Sequence, residues 1–474
     1  MLHQLYAPSL GLLTDLYQIT MAYGYWKSNL QDIETTFQLF FRKAPFSGNF
    51  AIVAGLETAL ALVEQFSFSD SDLAYLRQQT GNDGQPLFCE DFLAYLGTLS
   101  MNVDIEAIPE GTAVLPHTPL LRITGPIIPC QLLESALLTC INFQTLIATK
   151  AHHICQAAFG DTVLEFGLRR AQGFDGAISA SRAAYIGGVH ATSNVLAGKL
   201  LDIPIKGTHA HAWVMMFDSE PEAFEAYANA MPNNCVFLVD TYDTLQGVHH
   251  AIEMGKKLRQ RGHEMLGVRL DSGDLATLSI EARKLLDQSG FPNAKIVASD
   301  SLNEHTIQKL KAQGAKIDIW GVGTNLVTSQ DQPALGGVYK LSAQRQSAHH
   351  PWTPKIKLSN SAIKVSNPGR LQVYRCLDQK GQWIGDILSD ESETLTGQTL
   401  TSLDGQPVTI DLETCQTRPL LISYMQNGKR SMVSESIQDI RSRSLQTKAC
   451  EQSLPFLSAQ TWHTKQHLMK QHRP

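Results

Sequence analysis

The sequence predicts an α/β protein centred on an irregular α/β barrel, and three observations carry that reading. Short apolar runs recur at residues 162–166, 192–195, 203–206, 235–239, 265–270, 295–298, 317–322 and 337–341. Helix-like segments at 179–186, 220–230, 244–260, 275–289 and 304–313 separate most of them, and strand–helix alternation implies parallel strands. Polar, glycine-bearing stretches close the runs, and in such barrels the site lies at the carboxyl ends of the strands.

In chain order, Thr14 and Asp15 mark the start of a helical pattern over 12–27, residues 35–41 read as a strand, and 55–66 as a second helix. Residues 106–128 are short strands punctuated by Gly111, Pro116, Pro119 and Gly125-Pro126. The most apolar long window, 132–149, contains Glu134, Asn142 and Gln144, so it belongs to a buried helix over 130–158 and not to a membrane span. The eight barrel runs follow. Beyond 342 the chain turns polar and rich in turns, with strand candidates at 372–376, 408–412 and 420–425 that suggest a sheet packing with the N-terminal region. The end, 466–474, is expected to fray. These changes divide the chain into 1–135, a site-bearing barrel over 136–341, and 342–474.

With 474 residues, 43% hydrophobic and 18% charged, the chain can build a sizeable core. A net charge of −6 speaks against a nucleic-acid partner, which usually demands a basic stripe. The eight cysteines form no C-x-x-C pair, which reads as reduced structural thiols of a cytoplasmic protein without a zinc site. No basic leader followed by an apolar stretch opens the chain, and no membrane partner is expected.

The strand ends carry the chemistry. Arg169, Arg170 and Arg269 offer the planar fork that matches carboxylate or phosphate. Gly321-Val322-Gly323-Thr324 offers backbone N–H groups and a hydroxyl, a common phosphate cradle. Asp240, Asp243, Asp271 and Asp274 suit a divalent cation or sugar hydroxyls, although Asp274 also fits a helix cap before Leu275. Ser299-Asp300-Ser301 ends another run. His209 and His211, two apart, would face one side of an extended strand. They read either as the metal pair of a metal-dependent barrel hydrolase, or as a base or phosphate-accepting histidine beside an anion pocket. No G-x-x-x-x-G-K-[ST] occurs, so any use of ATP is not of the P-loop kind.

Together the motifs resemble the nicotinate phosphoribosyltransferases. The carriers are LLTDLYQITMA (12–22), FFRK (40–43), LEFGLRRAQG (164–173), SNVLAG (193–198) and GTHAHA (207–212). Further on come LVDTYDT (238–244), GVRLDSGDL (267–275), GVGTNLVT (321–328) and GGVYKL (336–341). The resemblance implies the type II phosphoribosyltransferase fold, an irregular TIM-like α/β barrel with an α/β sandwich domain built from the N- and C-terminal segments. It implies condensation of nicotinate with 5-phosphoribosyl 1-diphosphate (PRPP) to nicotinate mononucleotide and diphosphate, coupled to ATP hydrolysis, in NAD salvage. Mg2+ would accompany PRPP and ATP, and a homodimer would complete the active site at its subunit interface. By the same resemblance, Tyr17 would bound the nicotinate ring, and Thr208 and Arg269 would hold its carboxylate, with Arg169 a further contact. Thr324, Gly323, Gly321 and Ser299 would bind PRPP phosphate, Asp271 would contact ribose or metal, and His211 would become a phosphohistidine. The family's histidine motif usually ends in Ala-His-Ser where this chain has Ala212, and Leu371 stands where lysine is common. Sister enzymes acting on nicotinamide or quinolinate are the neighbouring alternatives. One arginine paired with Thr208 fits a single ring carboxylate better.

Overall fold

The computed structural model describes residues 9–361, 364–395, 400–402, 407–408, 415–446, 454–458 and 460–472. The chain divides into two compact units, residues 146–333 and residues 1–145 with 334–474; the first division falls inside the long helix Glu134–Ala157.

The 146–333 unit holds one six-stranded parallel sheet. Its strands are β1 (Thr162–Glu165), β2 (Ala191–Thr192), β3 (Val236–Leu238), β4 (Gly267–Leu270), β5 (Lys295–Ser299) and β6 (Ile319–Val322). They lie in the order β2-β1-β6-β5-β4-β3, each neighbouring pair parallel. Helices Thr244–Gln260, Leu275–Gln288 and Glu304–Ala312 are the crossovers that parallel pairing requires. Asp243, Asp274 and Asn303 cap their first turns by accepting from backbone N–H groups, which is why these polar residues stand at the strand-to-helix junctions. Gly247 lets the first of these helices lie against β3: a Cβ there would meet the Val239 carbonyl oxygen at 2.0 Å.

Three expected barrel strands differ. At 192–195, β2 stops at Thr192, because Asn194 turns the chain into helix Val195–Leu201 by accepting from Ala197 N–H at 3.2 Å. At 203–206, pairing reduces to one parallel bridge between Thr192 and Ile205, next to Pro204, which has no N–H to give a ladder. Residues 337–341 do not join the parallel sheet. They belong to the strand Gly337–Arg345, which pairs antiparallel with Glu34–Phe41 in the other unit.

That unit carries two main sheets, beside a two-stranded pair of Ala51–Ile52 with Ala113–Val114. The larger runs Thr353–Pro354, Gly337–Arg345, Glu34–Phe41, Leu121–Pro126, Asp104–Ala107, Ile422–Gln426, Lys429–Arg430, so both chain ends share it. The smaller is built from C-terminal strands, chiefly Leu371–Leu377 and Trp383–Asp390, around a core of Cys376, Ile387, Leu400 and Leu457. Leu371 is fully buried there, which explains an apolar side chain at that position. Arg122, fully buried, links the two sheets: it pairs with Glu106 on one side and Glu391 on the other, and donates to the Leu371 carbonyl at 3.0 Å. The first helix is Leu16–Lys27, and the segment expected over 130–158 is two helices, Ile127–Leu132 and Glu134–Ala157. The end expected to fray instead carries helix Gln460–His472, whose Lys465 is held by burial at a pKa of about 8. Most of the strand expected at 408–412 lies outside the described residues. The seven described cysteines are free, and among the described residues no helix is long and apolar enough to cross a membrane.

Replacing Arg122 by Ala would leave Glu106 without its cation and Glu391 with Arg370 alone at the sheet junction. The expected loss is about 3 kcal/mol of stability, read as a lower denaturation midpoint.

Candidate active site

Arg269, on β4, organises the carboxyl ends of the strands. Its Nε donates to Ser299 Oγ at 2.8 Å, Nη1 to Thr208 Oγ1 at 3.0 Å, and Nη2 to Asp271 Oδ1 at 2.8 Å. Ser299 in turn donates to Asp271. A guanidinium has five N–H donors, so three uses leave one N–H on each terminal nitrogen among the described residues. The side chain is 13% exposed, so the remaining donors sit on a largely desolvated guanidinium. Phe166, just beyond β1, places its ring 5.7 Å from the guanidinium carbon.

A second group adjoins it. Asp240 Oδ2 accepts from the Asp271 backbone N–H at 2.9 Å and from Ser272 Oγ at 2.6 Å. Its Oδ1 is buried without a hydrogen-bond partner among the described residues. His211 opens the short helix His211–Met215 and bonds Thr241 Oγ1 through Nδ1 at 3.1 Å. Its Nε2 lies 3.7 Å from Asp271 Oδ2 and 4.0 Å from Asp240 Oδ1. One ring nitrogen of a half-exposed imidazole therefore faces two carboxylates.

His209 is different. It is buried, its Nε2 accepts the Leu238 backbone N–H at 3.2 Å, and its ring stands edge-on to Tyr227 at 4.9 Å. Burial pushes its pKa down to about 4, so the ring is neutral. With Nε2 engaged by backbone, the two histidines do not form the expected H-x-H metal pair. The four aspartates also separate: Asp243 and Asp274 are helix caps, and only Asp240 and Asp271 face the site.

The other expected residues fall as follows. Arg169 lies exposed in the 3-10 turn Leu168–Arg170, with no hydrogen bond or ion pair to another described residue. Ser299, expected at a phosphate, has its hydroxyl engaged by Arg269 and Asp271. Gly321 has no room for a side chain, since a Cβ would sit 2.6 Å from the Phe166 ring; Gly323 and exposed Thr324 follow at the start of the turn Thr324–Val327. Tyr17, in helix Leu16–Lys27, is 48% exposed, and partial burial with the charge of Glu134 raises its phenol pKa.

Several contributors are absent from the sequence reading. Glu165 is fully buried and accepts from the Gly167 N–H, from Ser181 Oγ at 2.8 Å and from Thr192 Oγ1 at 2.6 Å, which sets the turn bearing Arg169. An acid inside an apolar run was its available signal. Asp300 and Ser301 take positive φ of 135° and 45°, and buried Asn325 donates to the Ser301 and Leu302 carbonyls at 2.9 and 3.0 Å. Strained backbone of this kind concentrates at functional sites, and nothing in residue type announced it. Inside the sheet's concave face lies a cavity of about 740 Å3, reaching from Phe166 and Thr208 down to Thr162, Lys295 and Ile319 at the strand starts.

Parallel strands whose carboxyl ends converge on an arginine fork, two carboxylates, an imidazole and a glycine-threonine turn define an α/β enzyme that handles anionic substrates. Family models narrow this. The nicotinate phosphoribosyltransferase N-terminal domain matches residues 12–142, the family's main region 162–359, and its C-terminal domain 370–451. The chain belongs to the nicotinate phosphoribosyltransferase family. It is 49% identical to the nicotinate phosphoribosyltransferase of Bacillus subtilis over 393 residues, 82% of this chain and 78% of that one. The crystal structure of human nicotinic acid phosphoribosyltransferase superposes with a TM-score of 0.82 at 29% identity, covering 97% of this chain and 100% of the other. Nicotinate-nucleotide pyrophosphorylase from Pyrococcus furiosus (TM-score 0.70, 21% identity, covering 92% and 94%) shares the fold alone.

Burial lowers the pKa of His117, His152 and His209 to about 4, below the ordinary 6.5. As pH falls, the unfolded chain takes up these protons first, so their contribution is full above about 6.5 and is lost toward 4. The melting temperature should fall most steeply between those values, and less so in His209→Phe.

Proposed function

We propose that this chain condenses nicotinate with PRPP, releasing nicotinate mononucleotide and diphosphate, as a step of NAD salvage. The single observation that carries the reading at residue level is the pair of donors left on Arg269. Two N–H groups, one on each terminal nitrogen, are left for a carboxylate, with Thr208 Oγ1 bonded alongside. Quinolinate would ask for a second cation and nicotinamide for none, so the pair favours nicotinate.

The pyridine nitrogen attacks C1 of the ribose with its own lone pair, and the C1–oxygen bond to diphosphate breaks, so no general base is needed. Catalysis is positioning plus stabilisation of the departing charge. Phe166, against Arg269, is an aromatic face for the ring, and Tyr17 would reach it from a second subunit. Gly323 and Thr324, with Gly321 behind them, take the 5′-phosphate, and Arg169 adds a cation.

Asp240 and Asp271 fit a magnesium ion, because Asp240 Oδ1 is a buried carboxylate oxygen without a partner among the described residues. They would hold it, and the ion would supply charge neutralisation for the departing diphosphate. His211 takes the phosphoryl group of ATP. Its support is a ring oriented by Thr241 and left 39% exposed. Ala212, exposed beside it, supplies no hydroxyl, so His211 relies on Thr241 for its hydroxyl partner.

The six-stranded sheet is read as part of an irregular barrel, supported by the Thr192–Ile205 bridge and the Leu238–His209 bond at its two open edges. A homodimer that completes the site is supported by apolar side chains left outside: Val195, Leu196 and Leu200 on helix Val195–Leu201, and Leu16 and Tyr17 on Leu16–Lys27. Cytoplasmic residence follows from the reduced thiols and the small-molecule substrates.

In an assay of nicotinate mononucleotide formation, Arg269→Lys keeps the charge but loses the fork, and should lower kcat/KM for nicotinate about 10- to 100-fold. His211→Ala should keep basal synthesis while losing ATP stimulation and histidine phosphorylation. Full ATP coupling in His211→Ala would overturn that assignment.

A further inference from the structure

The strand series is incomplete between Ile205 and Val236. On one side, Thr192 N–H donates to the Pro204 carbonyl and Lys206 N–H to the Thr192 carbonyl, each at 3.0 Å, and backbone pairing ends there. On the other, β3 pairs with β4 along one edge, and its second edge carries no backbone ladder among the described residues. Between these edges runs 206–210, the segment holding Thr208. Gly207 has nothing within 4 Å of where a Cβ would stand, and the cavity is lined along this seam by Lys206, Gly207, Thr208 and Val236.

Among the described residues, the open edge of β3 itself is met from this segment by one bond: the Leu238 N–H donates to His209 Nε2 at 3.2 Å. That assigns the ring proton to Nδ1, which lies 3.5 Å from the Ala210 carbonyl oxygen. The ring is fixed from the other side by Tyr227, Phe224 and Phe237, at centroid distances of 4.9, 6.1 and 6.5 Å. We propose that His209 is a positioning residue, a side-chain latch that closes the seam in place of a backbone ladder and so holds Thr208 against Arg269. Thr208 depends on it directly, since the Thr208 hydroxyl donates to the His209 carbonyl at 3.2 Å while accepting from Arg269. His211 depends on it less, because Trp213 anchors its helix separately through Nε1 to the Ala223 carbonyl at 3.0 Å. The proposal rests on the reading that Arg269 holds the nicotinate carboxylate while Thr208, its own proton given to the His209 carbonyl, fixes the guanidinium beside it.

The test compares His209→Phe, which keeps the ring packing and removes the acceptor, with His209→Gln, which restores an acceptor oxygen. The Phe variant should raise KM for nicotinate about tenfold, with kcat and KM for PRPP within about twofold, because a buried donor loses its partner. Amide exchange at Leu238 should speed up, and the Gln variant should recover both readouts. An unchanged nicotinate KM in the Phe variant, or a Gln variant as impaired as Phe, overturns the proposal; so does an equal loss in every kinetic constant, which marks a merely structural role. A Thr208→Val control separates the underlying reading: if it leaves KM unchanged, the assignment of Thr208 fails and the positioning role with it. An altered Thr208→Val beside an unaltered His209→Phe overturns the latch alone.

Discussion

The site depends on one guanidinium. Arg269 leaves β4 and binds the end of β5 through Ser299, the loop after its own strand through Asp271, and the 206–210 segment through Thr208. Three chain segments far apart in sequence are thereby set at hydrogen-bond distance from one charge. Because that charge is mostly buried, its partners must satisfy most of its donors.

Around Arg269, residues of the same type take different roles according to burial and partner. His209 is buried against aromatic rings and neutral, and serves the backbone, whereas His211 is half exposed and faces carboxylates. Asp243 and Asp274 cap helices, while Asp240 and Asp271 turn inward. Glu165 is a fully buried acid whose hydroxyl and backbone donors fix the turn that carries Arg169. The other unit uses the same principle with Arg122, where a buried cation joins two sheets because each offers a carboxylate.

The strand–helix alternation was legible from residue pattern: five of the eight expected barrel runs, 162–166, 235–239, 265–270, 295–298 and 317–322, contain β1, β3, β4, β5 and β6. What failed was membership. The 337–341 run has a strand's composition, but whether a strand pairs parallel or antiparallel depends on which edge it meets, and Glu34–Phe41 lies more than 290 residues upstream in sequence. The 192–195 run failed locally, since Asn194 is a stronger helix start than Val195 is a strand residue. Of the residues singled out beforehand, Thr208, Arg269, Asp271 and Ser299 are brought into one network. Phe166, Glu165 and Asn325 were missed, because each acts through contacts that sequence spacing does not encode.

The sequence by itself determined the α/β class, the strand ends that bear chemistry, and the family, because apolar periodicity and contiguous motifs are properties of neighbouring residues. Only the tertiary structure decided how those residues divide their roles. It decided that His209 is a neutral backbone partner beside a solvent-facing His211, that two of four aspartates are caps, and that Arg269 ties Thr208, Asp271 and Ser299 together. Those outcomes turn on desolvation and on the direction of hydrogen bonds, which exist only once distant segments have met.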